Sequence, residues 1–134
     1  VYIAPSYSPL LNELSRTLAA DPKLEVLREP RQFERADLAI DLLQEAREKV
    51  VVGRTSSGGV REYQLRLRVR FRVRDREGVE RIPDTELQQQ RDISFIETNV
   101  LAKEQEEELL YKSMQSDLVQ QILWRLANLP APRG

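Results

Sequence analysis

Five arginines, Arg66, Arg68, Arg70, Arg72 and Arg74, occupy every second position of the run REYQLRLRVRFRVRD. Alternation at period two puts them on one side of a β-strand. A row of planar, permanently charged guanidinium groups can do one of two things. It can pair with carboxylates on neighbouring strands, for which Asp37, Asp41, Glu86 and Asp92 are the candidates, each pair adding roughly 0.2–1 kcal/mol. It can also meet a polar partner surface or anionic groups, a role for which arginine suits better than lysine or threonine. The other residues that could carry chemistry point away from catalysis. The chain has no His and no Cys, which removes the usual zinc sites, thiol nucleophiles and Ser-His triads. Glu106, Glu107 and Glu108 are adjacent, so they point around a helix rather than across a cleft, as paired-carboxylate hydrolysis would need. The loop GRTSSGG lacks the GxxxxGK[ST] spacing of a phosphate-binding loop and reads as a flexible hairpin connection. Tyr111 and Trp124 read as core or core-edge residues. The residues describe a small binding domain without a cofactor or enzymatic activity.

The elements that must hold these residues follow from periodicity. In Thr98 to Leu129, Leu110, Met114, Leu118, Ile122 and Leu126 recur every four residues, with Tyr111, Val119 and Leu123 beside them, predicting a long amphipathic helix. Its water face is read as Lys103, Glu107, Gln115, Gln121 and Arg125. Thr98 or Asn99 is the predicted cap, Pro130 the stop, and Glu104 to Glu108 suit the positive end of the helix dipole. Upstream, Val1–Ile3 is a short strand. Ser8-Pro9 is a cap followed by proline at the first helical position, and Leu10, Leu11, Leu14 and Leu18 give that helix its buried stripe. Leu24–Leu27 reads as another short strand, completing a βαβ unit. Asp37–Val52 is a longer strand whose phase slips at Leu42-Leu43, predicting a bulge. Glu62–Asp75 alternates without a miss. After a turn at Arg76–Gly78, drawn out towards Pro83, Leu87–Ile96 is the last strand.

The order β-α-β-β-β-β-α predicts an α+β fold, a two-layer sandwich with a mostly antiparallel sheet and both helices on one face. The arginine face is then left uncovered by the chain. With 134 residues and 40% hydrophobic content, one domain over residues 1–130 is expected, with 131–134 a flexible tail. A net charge of −1 argues against a general nucleic-acid binder, which needs a basic excess.

The run VLAKEQEEELLYKSMQSDLVQQILWRL, taken with REYQLRLRVRF upstream, resembles the LptE family of lipopolysaccharide-assembly lipoproteins. The resemblance is carried by the VLAK-then-acidic opening of the last helix, the EYQ that starts the central strand, and Arg91-Asp92-Ile93-Ser94-Phe95 in the last strand. The order of elements agrees from the first strand to Pro130. The resemblance implies a lipoprotein on the periplasmic side of the Gram-negative outer membrane, plugging the β-barrel of its partner LptD and assisting lipopolysaccharide delivery. It places the lipopolysaccharide-contacting basic positions on Lys103 and, through a longer loop, on Arg54. With a polar barrel lumen as partner, Arg66, Arg68, Arg70 and Arg72 become the expected partner-interface residues. Family members begin with a lipid-modified cysteine. None occurs here, so the anchor is expected to lie on a segment before Val1. A free-standing periplasmic carrier of lipid A or lipopolysaccharide is the alternative, and it requires a deep apolar cavity.

Overall fold

A computed structural model describes residues 1–5, 7–94 and 100–129. The elements are β1 (Tyr2–Ala4), α1 (Pro9–Ala19), a 3₁₀ helix (Pro30–Arg35), β2 (Leu38–Arg54), β3 (Val60–Asp75), β4 (Glu80–Ser94) and α2 (Val100–Ala127). The strands form one mixed sheet in the order β1-β2-β3-β4. β1 runs parallel to β2, and the two hairpins β2–β3 and β3–β4 are antiparallel. Both helices pack on one face, as the α+β expectation requires. No helix among the described residues is long and apolar enough to cross a membrane.

Local chemistry explains the elements. The Ser8 hydroxyl accepts a hydrogen bond from the Leu11 amide at 3.2 Å, with Pro9 in the first turn, so α1 starts where its cap and its fixed proline φ agree. Leu10, Leu11 and Leu14 of α1 and Met114, Leu118, Val119 and Ile122 of α2 are fully buried against Leu65, Val69, Phe71 and Val73 of β3. Each such side chain contributes about 1.5–3 kcal/mol relative to exposure. The expected caps of α2 at Thr98 and Asn99, its stop at Pro130 and the tail 131–134 lie outside the described residues.

The slip at Leu42-Leu43 is a bulge. Leu42 is opposite Phe71 but Gln44 is opposite Arg70, leaving Leu43 unpaired and exposed. Side chains therefore swap faces across it. Before the bulge Ile40 and Leu42 face the helices and Asp41 faces away; after it Glu45, Arg47 and Lys49 face the helices and Glu48 faces away.

Four expectations need correction. Leu24–Leu27 is not a strand: only Leu27 makes a parallel bridge to Tyr2, with its amide donating to the Val1 carbonyl at 2.7 Å. β1 is three residues long and offers nothing more to pair with, so the parallel partner across α1 is β2 and the order is β-α-β-β-β-α. The last strand begins seven residues early, at Glu80, because the turn closes tightly by the Asp75 amide donating to the Val79 carbonyl with Gly78 at φ +81°. Pro83 lies within this edge strand, where the register jumps from Val73↔Ile82 to Phe71↔Thr85, a position where proline costs no ladder bond. The face opposite the helices is not wholly bare: the 3₁₀ helix crosses its β1 end. There Tyr2, Leu27, Ala36 and Ala39 form a small second core, and the Phe33 ring packs edge-on against Tyr2 and beneath Arg74.

Finally, Trp124 is 66% exposed, not core. At about 100° per residue, it stands roughly 200° from Ile122 and so points out. By the same phase Gln115, Gln121 and Arg125 are half-buried flanks, and Ser113, Ser116, Gln120 and Trp124 are exposed.

Candidate functional site

The arginine row lies on the open face of β3, flanked by β2 and β4, and its side chains are 28–42% exposed. Each guanidinium meets a carboxylate. Arg72 and Arg74 both donate from Nε to Asp41 Oδ2, at 3.0 and 2.9 Å. Arg68 donates to Glu48, and Arg66 lies 3.8 Å from the same carboxylate while donating to Gln64 at 2.8 Å. Arg70 pairs with Asp84. The Arg68 Nε lies 3.2 Å from Glu86 Oε1 but makes no aligned hydrogen bond, so that contact is Coulombic only.

Two of the four sequence-expected partners, Asp41 and Glu86, are therefore in place. Asp37 instead pairs with Arg76, and Asp92 accepts from Gln64. Glu48 and Asp84 were missed. The bulge at Leu43 turns Glu48 onto the arginine face although its parity is opposite to that of Asp41, whereas Asp84 shares the parity of Glu86 and was missed because the strand was expected to start only at Leu87. The hydrogen bond from Arg70 holds the Asp84 carboxyl below the usual carboxylate range, and the reciprocal bond raises Arg70.

This face is thus both paired and available. A guanidinium has five N–H donors, and the bonds above use one or two of each. Their carboxylate partners range from 16% exposed at Asp41 to 52% at Glu86. The result is a rigid polar surface that presents donors and acceptors in alternation, with its side chains held in place before any partner arrives.

Lys103 and Arg54 sit on different elements, each with a local partner. The Lys103 ammonium donates to Glu106 at 3.1 Å within the first turns of α2. Arg54 donates to the Gly58 carbonyl at 3.0 Å across the β2–β3 turn, which the Thr55 amide closes onto Gly59. The acidic run of α2 fastens the helix to the sheet. Glu107 takes Lys49 at 2.5 Å, and Glu108 takes Arg47 at 3.3 Å. Lys49 also lies over Tyr63 and Arg47 over Tyr111, whose hydroxyl donates to the Glu48 carbonyl at 2.9 Å. The hydrogen bond to Glu107 raises the Lys49 pKa, while burial raises that of Tyr111.

A surface cleft of about 390 Å³ opens between the start of α1 and the β2 bulge, lined in part by Pro5, Tyr7, Ser8, Leu42, Glu45 and Arg47. Its wall is mixed, and the Ser8 hydroxyl donates to Glu45 inside it. Among the described residues no group of three or more His, Cys, Asp or Glu is placed to hold a metal ion.

Comparison with known proteins agrees with this architecture. The model of the family described as LptE, lipopolysaccharide-assembly, matches residues 1–126. The solution structure of an uncharacterized lipoprotein B from Nitrosomonas europaea is similar at 34% identity and TM-score 0.78, covering 91% of this chain and 77% of that one. The crystal structure of the rare lipoprotein B from Shewanella oneidensis is 23% identical with TM-score 0.75, covering 94% and 90%. A minor lipoprotein from Acinetobacter baumannii is 19% identical with TM-score 0.71, covering 99% and 95%. The last two share the fold. No curated protein matches.

Proposed function

The chain belongs to the LptE lipopolysaccharide-assembly family, and from that premise we propose that it is a non-enzymatic plug that occupies and stabilises the lumen of an outer-membrane β-barrel, LptD. The observation that carries this reading is the pre-paired arginine face. Large barrel lumens are wet and charged, and a rigid surface of alternating donors and acceptors can exchange water for lumen side chains without leaving an ion unpaired. In this reading Arg66, Arg68, Arg70 and Arg72 form the contact, and the full-length protein is held on the periplasmic side of the outer membrane by an N-terminal lipid. Lys103 and Arg54 contact phosphate or carboxylate groups of lipopolysaccharide, exchanging Glu106 and the Gly58 carbonyl for stronger charge-assisted bonds. The carrier reading is less well supported, because the apolar stripes of both helices and the apolar row of β3 pack against one another between the layers.

The experiment is co-purification of the tagged chain with the LptD barrel from mild detergent. A one-to-one complex should survive moderate salt. Reversing Arg66 and Arg70 to glutamate should lower its recovery severalfold while the circular dichroism of the isolated chain keeps its α+β form. An unaffected complex, or loss of the fold, would remove the arginine face from the interface.

A further inference from the structure

The two edges of the sheet are unlike. On the β1 side the three residues of β1 cover only Ala39–Asp41 of β2, and the rest of that outer edge carries guards, the bulges at Leu42/Gln44 and Val51/Gly53 and Lys49 between them. On the other side β4 runs for 15 residues, and among the described residues no strand pairs with its outer edge. An unpaired edge is a template for another strand, and proteins usually blunt one with lysine, proline or a bulge. β4 has such guards only in its first half, where Pro83 and the bulge lie. From Thr85 to Ser94 its pairing with β3 is regular, with no lysine, proline or bulge; its charges are Glu86, Asp92 and an Arg91 already held by Asp117.

The direction of its backbone groups follows from the turn. The Asp75 amide donates across to Val79, so Asp75 directs its polar groups at β4. The register shifts insert residues into β4 and none into β3, so alternation along β3 carries the same direction to Val69, Leu67 and Leu65. Their partners Leu87, Gln89 and Arg91 therefore point inward. The amides and carbonyls of Glu86, Gln88, Gln90 and Asp92 point outward.

Side chains indicate what would pair there. On the arginine face the outer row of β4 reads Asp84, Glu86, Gln88, Gln90 and Asp92, carboxylates and amides with no cation. On its inner side this same row already lies beside a strand that alternates arginine with apolar residues. A second β4 would bring an identical row without cations, so a copy of this chain is a poor complement. On the helix side, Asp117 of α2 receives Arg91 of β4 at 2.6 Å. Trp124 follows Asp117 by seven residues, about two turns, so it stands on the same flank of α2. Its ring is 66% exposed, an apolar surface on the flank of α2 that faces β4.

We propose that the outer edge of β4 from Thr85 to Ser94, with Trp124 on the flank of α2 that faces it, is a docking site for an extended segment of a partner protein in which basic residues alternate with apolar ones. The segment adds a fifth strand by main-chain hydrogen bonds. Its basic side chains meet Glu86 and Asp92, each of which has lone pairs beyond those its present partner uses, and its apolar side chains lie against the indole. The site does not depend on barrel occupancy.

The test uses the whole chain and a synthetic peptide of about ten residues alternating valine with lysine, long enough to span the site. Binding is followed by fluorescence of Trp124, the chain's one tryptophan, and by amide hydrogen exchange. The expected result is binding, with exchange slowed at Glu86, Gln88, Gln90 and Asp92. A valine–glutamate peptide should not bind. Trp124→Ala, read by exchange alone, should weaken binding about tenfold. Gln88→Pro with Gln90→Pro, which removes two outward donors and no ladder bond, should abolish it. Should the proline variant lose its fold, the exchange pattern of the unaltered chain decides alone. Binding that leaves those four amides exchanging as before, binding that survives in a folded proline variant, or no binding would overturn the proposal. So would concentration-dependent self-association by light scattering that protects the same amides, which would give the edge to a second copy. No barrel is present, so failure here and failure of the plug reading are separate results.

Discussion

Replacing Asp41 by asparagine should cost the domain about 2 kcal/mol. Asp41 is the most enclosed carboxylate of the arginine face, its side chain 16% exposed, and it receives the Nε of both Arg72 and Arg74 at about 3 Å. Hydrogen bonds to charged groups are worth about 1.5–3 kcal/mol each when sheltered. Both arginines are about a third exposed, and exposed pairs fall towards 0–1 kcal/mol, so the two bonds together are reduced to roughly 2 kcal/mol. Asparagine keeps the shape and one acceptor oxygen but leaves two neighbouring guanidinium groups without their shared anion. With a urea m-value of about 1–3 kcal/mol/M for a domain of this size, the unfolding midpoint followed by circular dichroism should fall by about 1 M. Raising salt to 1 M, where the screening length is about 3 Å, should recover only part of the loss.

An internal control sits on the same face. Asp84 also pairs with an arginine but is 44% exposed, so Asp84→Asn should leave the midpoint within error. The reasoning fails if Asp41→Asn shifts stability by less than about 0.5 kcal/mol, the usual effect of a plain surface change. It also fails if the two variants behave alike, since enclosure would then not be what distinguishes the pairs.

Ser8→Ala should destabilise by about 1–2 kcal/mol in the same urea titration, since it removes both the α1 cap and the bond to Glu45. Phe71→Ala, at the fully buried centre of β3, should cost about 3–5 kcal/mol, a large share of a total near 5–15 kcal/mol, and should lower the thermal midpoint accordingly. Alkali should weaken the fold from about pH 10 upward. Lys49 is raised by its bond to Glu107, so its contribution is complete below the unfolded lysine value and lost as pH rises through the folded one; Tyr111, raised by burial, acts in the same direction. Thermal melts between pH 8 and 11 should show Glu107→Gln flattening that decline, and an unchanged slope would remove Lys49 as its source.

The parts of this fold that were legible in the sequence are those set by short-range alternation. Leu65 to Val73 alternate with arginine without interruption, and nothing but a half-buried strand satisfies that pattern. Ser8-Pro9 fixes a helix start for reasons confined to one turn. The slip at Leu42-Leu43 was legible as well, but its consequence was not. A bulge reverses which residues face the core, so Glu48 could be placed beside Arg68 only after knowing which residue was extruded. The start of β4 failed for the opposite reason: Glu80 to Glu86 is polar, holds Pro83 and changes phase, and only its pairing with β3 makes it a strand. Leu24–Leu27 has strand composition, but only Leu27 bridges the short β1.

Trp124 carries the same lesson to the candidate sites. The stripe from Leu110 to Leu126 packs on the core as read, but Trp124 lies about 200° round the helix from Ile122, so its apolar character pointed to the core while its phase pointed out. Packing decides the phase, and packing turns the largest side chain of α2 outward. The arginine face was legible as a face because it is written in one strand. The β4 edge was not, because an edge is a property of what is absent beside a strand. A sequence shows what each strand can bury. Which strand is left unpaired, and what surface stands over it, is decided by the order in which strands assemble, and that order places the cation-free row of β4 on the outside.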